Sequence, residues 1–344
     1  PFLELNSQFF MAVLLALGGV QVLRLEFFAG WAGGSQAELF AALVVFALLM
    51  PQFFNPIATI GRQYNDALTA MAGAERVFGL LDTQPEKLDD DDAQPLPPIE
   101  GRVELDDVTF GYVADKPVLH GISFTVEPGQ TIALVGHTGS GKTSIISLIA
   151  KFYVPTGGRV LIDGHDTRKV TGDSLARQLG IVLQSNYLFS GNVMDNIRVG
   201  RPDATDAEVV NAARELGCLD IFEQLQDGLM TDVGEKGGSL SLGQRQLVCF
   251  CRAMLADPRV LILDEATSAV DTMTEQRVQQ ALMKLVTGRT SFIVAHRLST
   301  ISHADTVLVL DAGKIVERGS HHALLEQGGT YAHLYRQFIR ASEA

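Results

Sequence analysis

The octapeptide Gly136-His137-Thr138-Gly139-Ser140-Gly141-Lys142-Thr143 lies between an apolar run, Thr131–Val135, and an apolar-periodic run, Ser144–Ile149. Strand, glycine loop and helix in that order are what a phosphate-binding loop requires. Glycines let the backbone curl so that successive N–H groups point inward at a phosphate. The helix that follows adds the positive end of its dipole. In such a loop the lysine, here Lys142, reaches the β- and γ-phosphates, and the hydroxyl of Thr143 holds Mg²⁺. A nucleoside triphosphate and Mg²⁺ are therefore expected ligands, with Gly136, Thr138, Gly139, Ser140, Gly141, Lys142, Thr143 and Ser144 around the phosphates. A glycine-rich turn that binds nothing is disfavoured, because every fixed position of the pattern and both flanks are filled.

Two later segments extend this site. Val260–Leu263 is a buried-strand run that ends in Asp264-Glu265. An aspartate at the carboxyl end of such a strand is placed to hold Mg²⁺ through water. The adjacent Glu265 is placed to polarise an attacking water as a general base. A strand ending in two acids is common, and it gains meaning here by following a glycine loop at a domain's length. Upstream, Leu240-Ser241-Leu242-Gly243-Gln244 heads a helical pattern that runs to Leu255. Serine is a favoured helix N-cap, and glycine just inside allows close approach. A second phosphate contact on this helix end is redundant within one subunit. Either this is an ordinary capped helix, or the helix faces a nucleotide held by another copy.

The chain has 344 residues and a net charge of −13, with 27 basic against 40 acidic side chains. That balance offers no basic footprint for nucleic acid. Part of the acidity is the run Asp89–Asp92, read as a solvated linker. The three cysteines, Cys218, Cys249 and Cys251, form no metal spacing and are expected as reduced, mostly buried thiols, with the side chains of Cys249 and Cys251 diverging because they lie two apart in a helical pattern.

The apolar residues are concentrated in the first sixty positions. Two hydrophobic segments, about 9–27 and 37–60, read as membrane helices separated by Gly30–Ser35. Phe27, Phe28 and Trp31 suit an interfacial belt. Pro51 and Pro56 either kink the second helix or mark its irregular cytoplasmic end. From Gly61 to Leu81 the pattern becomes amphipathic, with Arg62 and Arg76 on the cytoplasmic side. The expected organisation is residues 1–81 as the C-terminal part of a transmembrane domain, 82–100 as a linker, and 101–344 as the nucleotide domain. The chain opens at Pro1 just before a hydrophobic segment, so it is expected to be the C-terminal part of a longer protein.

Gly136–Thr143, Leu240–Gln244 and Val260–Glu265, in that order, resemble the nucleotide-binding domain of ATP-binding cassette transporters. Hydrophobic helices fused ahead of it resemble the exporter branch. The implied fold is the last two helices of an exporter membrane domain followed by an α/β P-loop NTPase domain with a helical subdomain. The resemblance implies that Tyr112 stacks on adenine and that Gln184 touches Mg²⁺ and the membrane domain. It also implies that Asp271, in Ser268-Ala269-Val270-Asp271, organises the opposing site, and that His296 contacts the γ-phosphate. Asp232–Glu235 resembles the segment beside the coupling helices. Ser241, Gly243 and Gln244 fall in the signature segment, which departs from the family's pattern at Leu242, where glycine is usual. Either the Leu242 side chain points away from the phosphate or the contact between subunits is looser.

The implied function is ATP-driven export by an integral membrane protein of the plasma (inner) membrane, its nucleotide domain cytoplasmic. Glu265, His296, Gln184 and Lys142 are the implied catalytic residues, and Thr143, Gln184 and Asp264 the implied metal-binding ones. The implied partners are a second copy or a paralogous half-transporter, the bilayer and a transported substrate (lipid, drug or peptide-like), with no nucleic acid. The alternative is a nucleotide-gated regulator or channel with little hydrolysis. A soluble cassette ATPase acting on DNA or ribosomes predicts a basic groove, and an importer subunit lacks fused helices.

Overall fold

The structure, a computed structural model, describes residues 2–23, 36–83, 89–113, 115–183, 185–264, 272–295 and 298–342. The chain divides into two compact units, Pro1–Glu86 and Lys87–Ala344.

The first unit is a pair of helices, α1 (Phe2–Leu23) and α2 (Gln36–Leu81). They meet where a side chain on Gly18 would overlap Leu43, so the absent Cβ is what lets the backbones approach. The second hydrophobic segment and the amphipathic stretch after it form one unbroken helix of 46 residues. Pro51 and Pro56 lie inside it, so the helix does not end at these prolines. Each proline removes one backbone donor, which an otherwise continuous hydrogen-bond ladder tolerates in membrane helices. Among the described residues one helix, Phe40–Leu81, is long and apolar enough to cross a membrane, and Phe9–Val20 is a shorter apolar stretch. Phe40, Val45, Leu48, Leu49 and Phe53 are all exposed. The expected interfacial residues Phe27, Phe28 and Trp31 lie outside the described residues.

The second unit contains two sheets. Strands β1 (Val103–Phe110), β2 (Leu119–Val126), β4 (Gly157–Ile162) and β5 (His165–Asp166) form an antiparallel sheet in the order β2-β1-β4-β5. Strands β3 (Thr131–Val135), β6 (Leu179–Val182), β7 (Val260–Asp264), β8 (Thr290–Val294), β9 (Thr306–Asp311) and β10 (Lys314–Gly319) form the second, in the order β10-β9-β3-β8-β7-β6. It is parallel except for the edge strand β10.

The helices of this unit are α3 (Lys142–Ile149), α4 (Gly172–Ala176), α5 (Val193–Arg198), α6 (Asp206–Leu216), α7 (Leu219–Glu223), α8 (Leu242–Ala256), α9 (Thr272–Val286), α10 (Leu298–Ser302), α11 (His321–Gln327) and α12 (Thr330–Ser342).

Alternation along the parallel strands explains the layering. Ile132 and Leu134 of β3, with Val260 and Ile262 of β7, pack with Ile145 and Ile149 of α3 and with the antiparallel sheet. Ala133 and Val135, with Leu261 and Leu263, face the opposite layer, built on Phe222, Leu247, Phe250, Val278 and Leu282 from α7, α8 and α9. Burial on both faces is why these strands read as continuous apolar runs. In such a sheet ligands bind outside the carboxyl ends of the strands. That is where β3 meets the glycine loop and β7 ends in Asp264.

The connector is not solvated throughout. Leu96 and Ile99 are buried, and Gln94 pairs with Val170. Asp89, expected in a solvated acidic run, instead ion-pairs with the buried ammonium of Lys151. The partner is 62 residues away in sequence, so a local charge pattern carries no sign of it.

Candidate functional site

The fully buried strand β3 delivers the chain into the glycine loop. A Cβ on Gly136 would strike the Leu310 carbonyl and come within 2.7 Å of Ser140 Oγ, so only glycine fits there. Gly141 takes φ +105° as the N-cap of α3, a conformation that L side chains rarely adopt. No side chain caps this helix. Its first backbone N–H groups have no intrahelical partner either, so they and the dipole face the mouth of the loop.

Lys142 is buried to 7% exposure, and its ammonium lies inside the loop. Nζ donates to the carbonyls of Gly136 at 2.8 Å and His137 at 2.9 Å. Burial pushes this ammonium below the ordinary lysine range, and the negative charge of Asp264 acts in the opposite direction. Ser140 N–H donates to the His137 carbonyl at 3.1 Å, and the Ser140 carbonyl accepts from Gly313 N–H at 3.2 Å. The Ser140 hydroxyl is buried with no hydrogen-bond partner. A buried hydroxyl without a partner is costly, and this one lies against Gly136 within the loop. Those features fit a phosphate. Thr143 is exposed in the first turn of α3 and Ser144 is buried beside it.

Tyr112 is 48% exposed at the end of the antiparallel sheet. Its ring is held edge-on by Phe110 at 4.9 Å and by Tyr153 at 5.1 Å between centroids. The hydroxyls of Tyr112 and Ser144 lie 3.1 Å apart, which joins the aromatic cluster to the phosphate loop. Tyr153 was not singled out from the sequence. Its only signal there is the pair Phe152-Tyr153 just past the loop helix.

Ser241 is the N-cap of α8 and forms a reciprocal capping box. Its hydroxyl accepts Gln244 N–H at 3.2 Å, and Gln244 Oε1 accepts Ser241 N–H at 2.9 Å. The capping bond uses an oxygen lone pair and leaves the Ser241 proton available to an acceptor. Ser241 is exposed, Leu242 half-buried and Gly243 buried. Ser241 and Gln244 thus bond one another on the head of α8.

Among the described residues no group of three or more His, Cys, Asp or Glu side chains forms a metal cluster. Mg²⁺ needs none, since it keeps several waters and takes one or two protein ligands beside substrate phosphates. Thr143 and Asp264 fit that pattern. Gln184, Glu265, Asp271 and His296 lie outside the described residues. The described residues just before three of them, Leu183, Asp264 and Ala295, end or follow the adjacent parallel strands β6, β7 and β8.

Beside this end of β6 is a groove of about 740 Å³, lined by Leu183, Tyr187, Phe189 and Arg252 among others. The Arg252 guanidinium sits 5.7 Å from the centroid of the Phe189 ring and donates to the Asn196 carbonyl at 3.0 Å. The three cysteines are buried and unpaired by disulfides, with Cys218 and Cys251 sulfurs 3.5 Å apart.

Comparison with known proteins agrees with this architecture. Residues 119–268 match the family described as ABC transporter. An uncharacterized ABC transporter ATP-binding protein of Bacillus subtilis (strain 168) is 43% identical over 344 residues, covering 100% of this chain and 55% of the relative. A fatty acid ABC transporter ATP-binding/permease protein of Mycobacterium bovis is 44% identical over 309 residues, 89% of this chain and 49% of the relative. An ATP-dependent lipid A-core flippase of Syntrophus aciditrophicus is 40% identical over 336 residues, 98% and 54%. The chain therefore spans about half the length of the curated relatives it matches. The solved structure of a bacterial Atm1-family ABC exporter with ATP bound superimposes with a TM-score of 0.71 at 37% identity, over 97% of this chain and 57% of that one. With a glycine loop at the head of an uncapped helix and relatives of this kind along its whole length, the chain belongs to the ABC transporter family.

Proposed function

We propose that this chain powers export across a membrane by binding and hydrolysing ATP, as half of a dimeric transporter. The observation that carries the reading is the Lys142 ammonium, seated inside the glycine loop at the uncapped head of α3 and under the influence of Asp264. A triphosphate entering the loop offers oxygens in place of the two carbonyls that now accept from Nζ.

In this reading Gly136, Thr138, Gly139, Ser140, Gly141, Thr143 and Ser144 surround the phosphates, and Tyr112 offers its ring to the base. Thr143, Asp264 and Gln184 are the residues to hold Mg²⁺. Mg²⁺, when bound, neutralises charge on the β- and γ-phosphate oxygens. Glu265 orients and deprotonates the attacking water, and His296 contacts the γ-phosphate. Ser241, Gly243, Gln244 and Asp271 act on the nucleotide held by the facing copy. ATP then favours the closed dimer by its greater affinity for that state, which is all a ligand can do to an equilibrium. Loss of the bridging phosphate lets the halves separate. In this reading the region from Gln184 to Glu235 passes the movement on to the membrane domain. The apolar helix α2 and the relatives support a membrane location, and in this reading the nucleotide domain lies on the cytoplasmic side. The relatives named for fatty acid and for lipid A-core favour an amphipathic lipid as substrate.

The second reading, a regulator that binds ATP without hydrolysing it, is disfavoured by the presence of both Glu265 and His296. Steady-state ATPase activity in detergent, inhibited by vanadate, is the expected result. Stoichiometric ATP binding with no turnover contradicts the transporter reading and supports the regulator.

A further inference from the structure

Lys151 stands just beyond α3, and its position is unusual in two ways. Its backbone takes φ +56°, in the left-handed region that side chains rarely adopt. Its side chain is only 2% exposed, although it carries an ammonium. A buried charge persists only where its donors are filled. Here Nζ donates to the Val170 carbonyl and to Asp89 Oδ1, each at 2.5 Å. The Asp89 carboxylate in turn accepts Gly172 N–H at 3.1 and 3.2 Å. The Lys151 ammonium beside it holds the Asp89 carboxyl below the usual carboxylate range.

From Asp89 onward the connector is stitched to the segment that leads into β6. Asp90 N–H donates to the Arg168 carbonyl, Gln94 N–H to the Lys169 carbonyl, and Thr171 N–H to the Gln94 carbonyl. Leu96 N–H donates to Ser174 Oγ at 2.8 Å and Ile99 N–H to Gln178 Oε1 at 2.9 Å. On the other side of Lys151, two residues along, Tyr153 packs its ring against Tyr112 and, at 5.5 Å, against Phe110. Phe152 N–H is bonded back to the Ser147 carbonyl of α3 at 2.9 Å, so little slack separates Lys151 from Tyr153. The Lys151 ion pair therefore sits between the connector and the aromatic wall.

We propose that the Asp89–Lys151 pair is a clamp through which the connector holds Tyr153 against Tyr112, making Asp89 and Lys151 positioning residues for the nucleotide base. The proposal rests on the reading of the glycine loop as an ATP site. Neither residue touches the nucleotide. Their effect falls on the base and not on the phosphates, which are gripped by the loop and the opposite end of α3. A shift of the connector reaches Tyr153 through one ion pair and a two-residue step.

The test uses the whole transporter in lipid nanodiscs, with ATP and the base-less inorganic tripolyphosphate as probes. Affinity for each is measured for the unaltered protein, Asp89→Asn, Lys151→Met and Lys151→Arg. Asp89→Asn and Lys151→Met are expected to weaken ATP about threefold to tenfold, a fraction of the effect of deleting a stacking ring. Tripolyphosphate affinity changes less than about twofold in the same variants, and Lys151→Arg, which keeps the ion pair, stays within about twofold for both probes. A merely structural role lowers both affinities together or neither. Equal loss of both probes, or no loss of ATP affinity in a protein that binds ATP, overturns the clamp and leaves the ATP site standing. Failure of the unaltered protein to bind ATP overturns both. Should Lys151→Met fail to fold, Asp89→Asn decides, since the Asp89 side chain is 41% exposed.

Discussion

The Tyr112 hydroxyl lies 3.1 Å from Ser144 Oγ, so the aromatic wall and the first turn of the phosphate-loop helix are joined by one bond between side chains. Ser144 is buried and cannot move without α3, whereas half of the Tyr112 ring is open. That combination gives a ring face of fixed orientation at one end of a phosphate cradle. Truncation of Tyr112 to alanine removes the face. Stacking on a base is worth about 1–3 kcal/mol, so KM for ATP is expected to rise about fivefold to a hundredfold. Tyr112→Phe keeps the ring and loses the hydrogen bond, and its KM is expected to rise only a few-fold. ATPase kinetics with an unchanged KM in Tyr112→Ala contradict the placement.

Glu265 follows Asp264 at the carboxyl end of β7. Glu265→Gln keeps the shape and removes the proposed base. Turnover is expected to fall by about a hundredfold or more, the range of a lost general base, while ATP stays bound. Phosphate release at a near-normal rate in that variant removes Glu265 from the role.

Leu242 occupies the first turn of α8, half-buried beside the exposed Ser241. Ser241 keeps its capping box whatever side chain follows it. Leu242→Gly is therefore expected to leave ATPase activity within a few-fold. A glycine in the helix costs about 1 kcal/mol of stability, which a small fall in melting temperature should report. A tenfold or larger gain in activity shows instead that the isobutyl group obstructs the site.

His321 Nδ1 and the Tyr331 hydroxyl are 2.6 Å apart in a buried contact between α11 and α12. Burial, with a smaller contribution from His322, lowers the His321 pKa from its ordinary value of 6.5. The folded state thus prefers neutral imidazole, and the unfolded chain binds the proton first on acidification. The contribution to stability is full above pH 6.5 and is lost as pH falls through 6.5 towards the lower folded value. Melting temperatures of the unaltered protein and His321→Gln are expected to converge between about pH 7.5 and 5.5. Parallel curves across that range refute the assignment.

Much of the fold is legible in the sequence because its signals are local. The buried strand, the glycines and the apolar period of α3 lie within twenty consecutive residues, and Ser241 with Gln244 is a cap readable at a spacing of three. The nonlocal features are not legible. Asp89 looks like one of four solvated acids until the fold brings Lys151 to it. Tyr153 is an aromatic after a helix until β1 places Tyr112 against it. Pro51 and Pro56 leave open in the sequence whether the helix ends near them, but proline removes single hydrogen bonds, and the remaining ladder carries the helix through to Leu81. The cysteines follow the expected pattern of burial without a disulfide, and the close Cys218–Cys251 approach joins α8 to a residue 33 positions earlier. Burial raises the Cys249 and Cys251 thiols above their ordinary value, so slow alkylation of the folded protein at pH 8 is expected, with rapid reaction after denaturation.

The central claim is that each nucleotide is held by Lys142 of one copy and Ser241 of the other. Occluded ATP can be counted in dimers that carry Glu265→Gln in both copies, purified through two different tags. With Lys142→Met in one copy and Ser241→Arg in the other, both lesions fall on the same shared site, and one ATP per dimer is predicted to remain. With both substitutions in a single copy, each shared site is damaged and none is predicted. The reverse pattern, none in the first dimer and one in the second, contradicts the account.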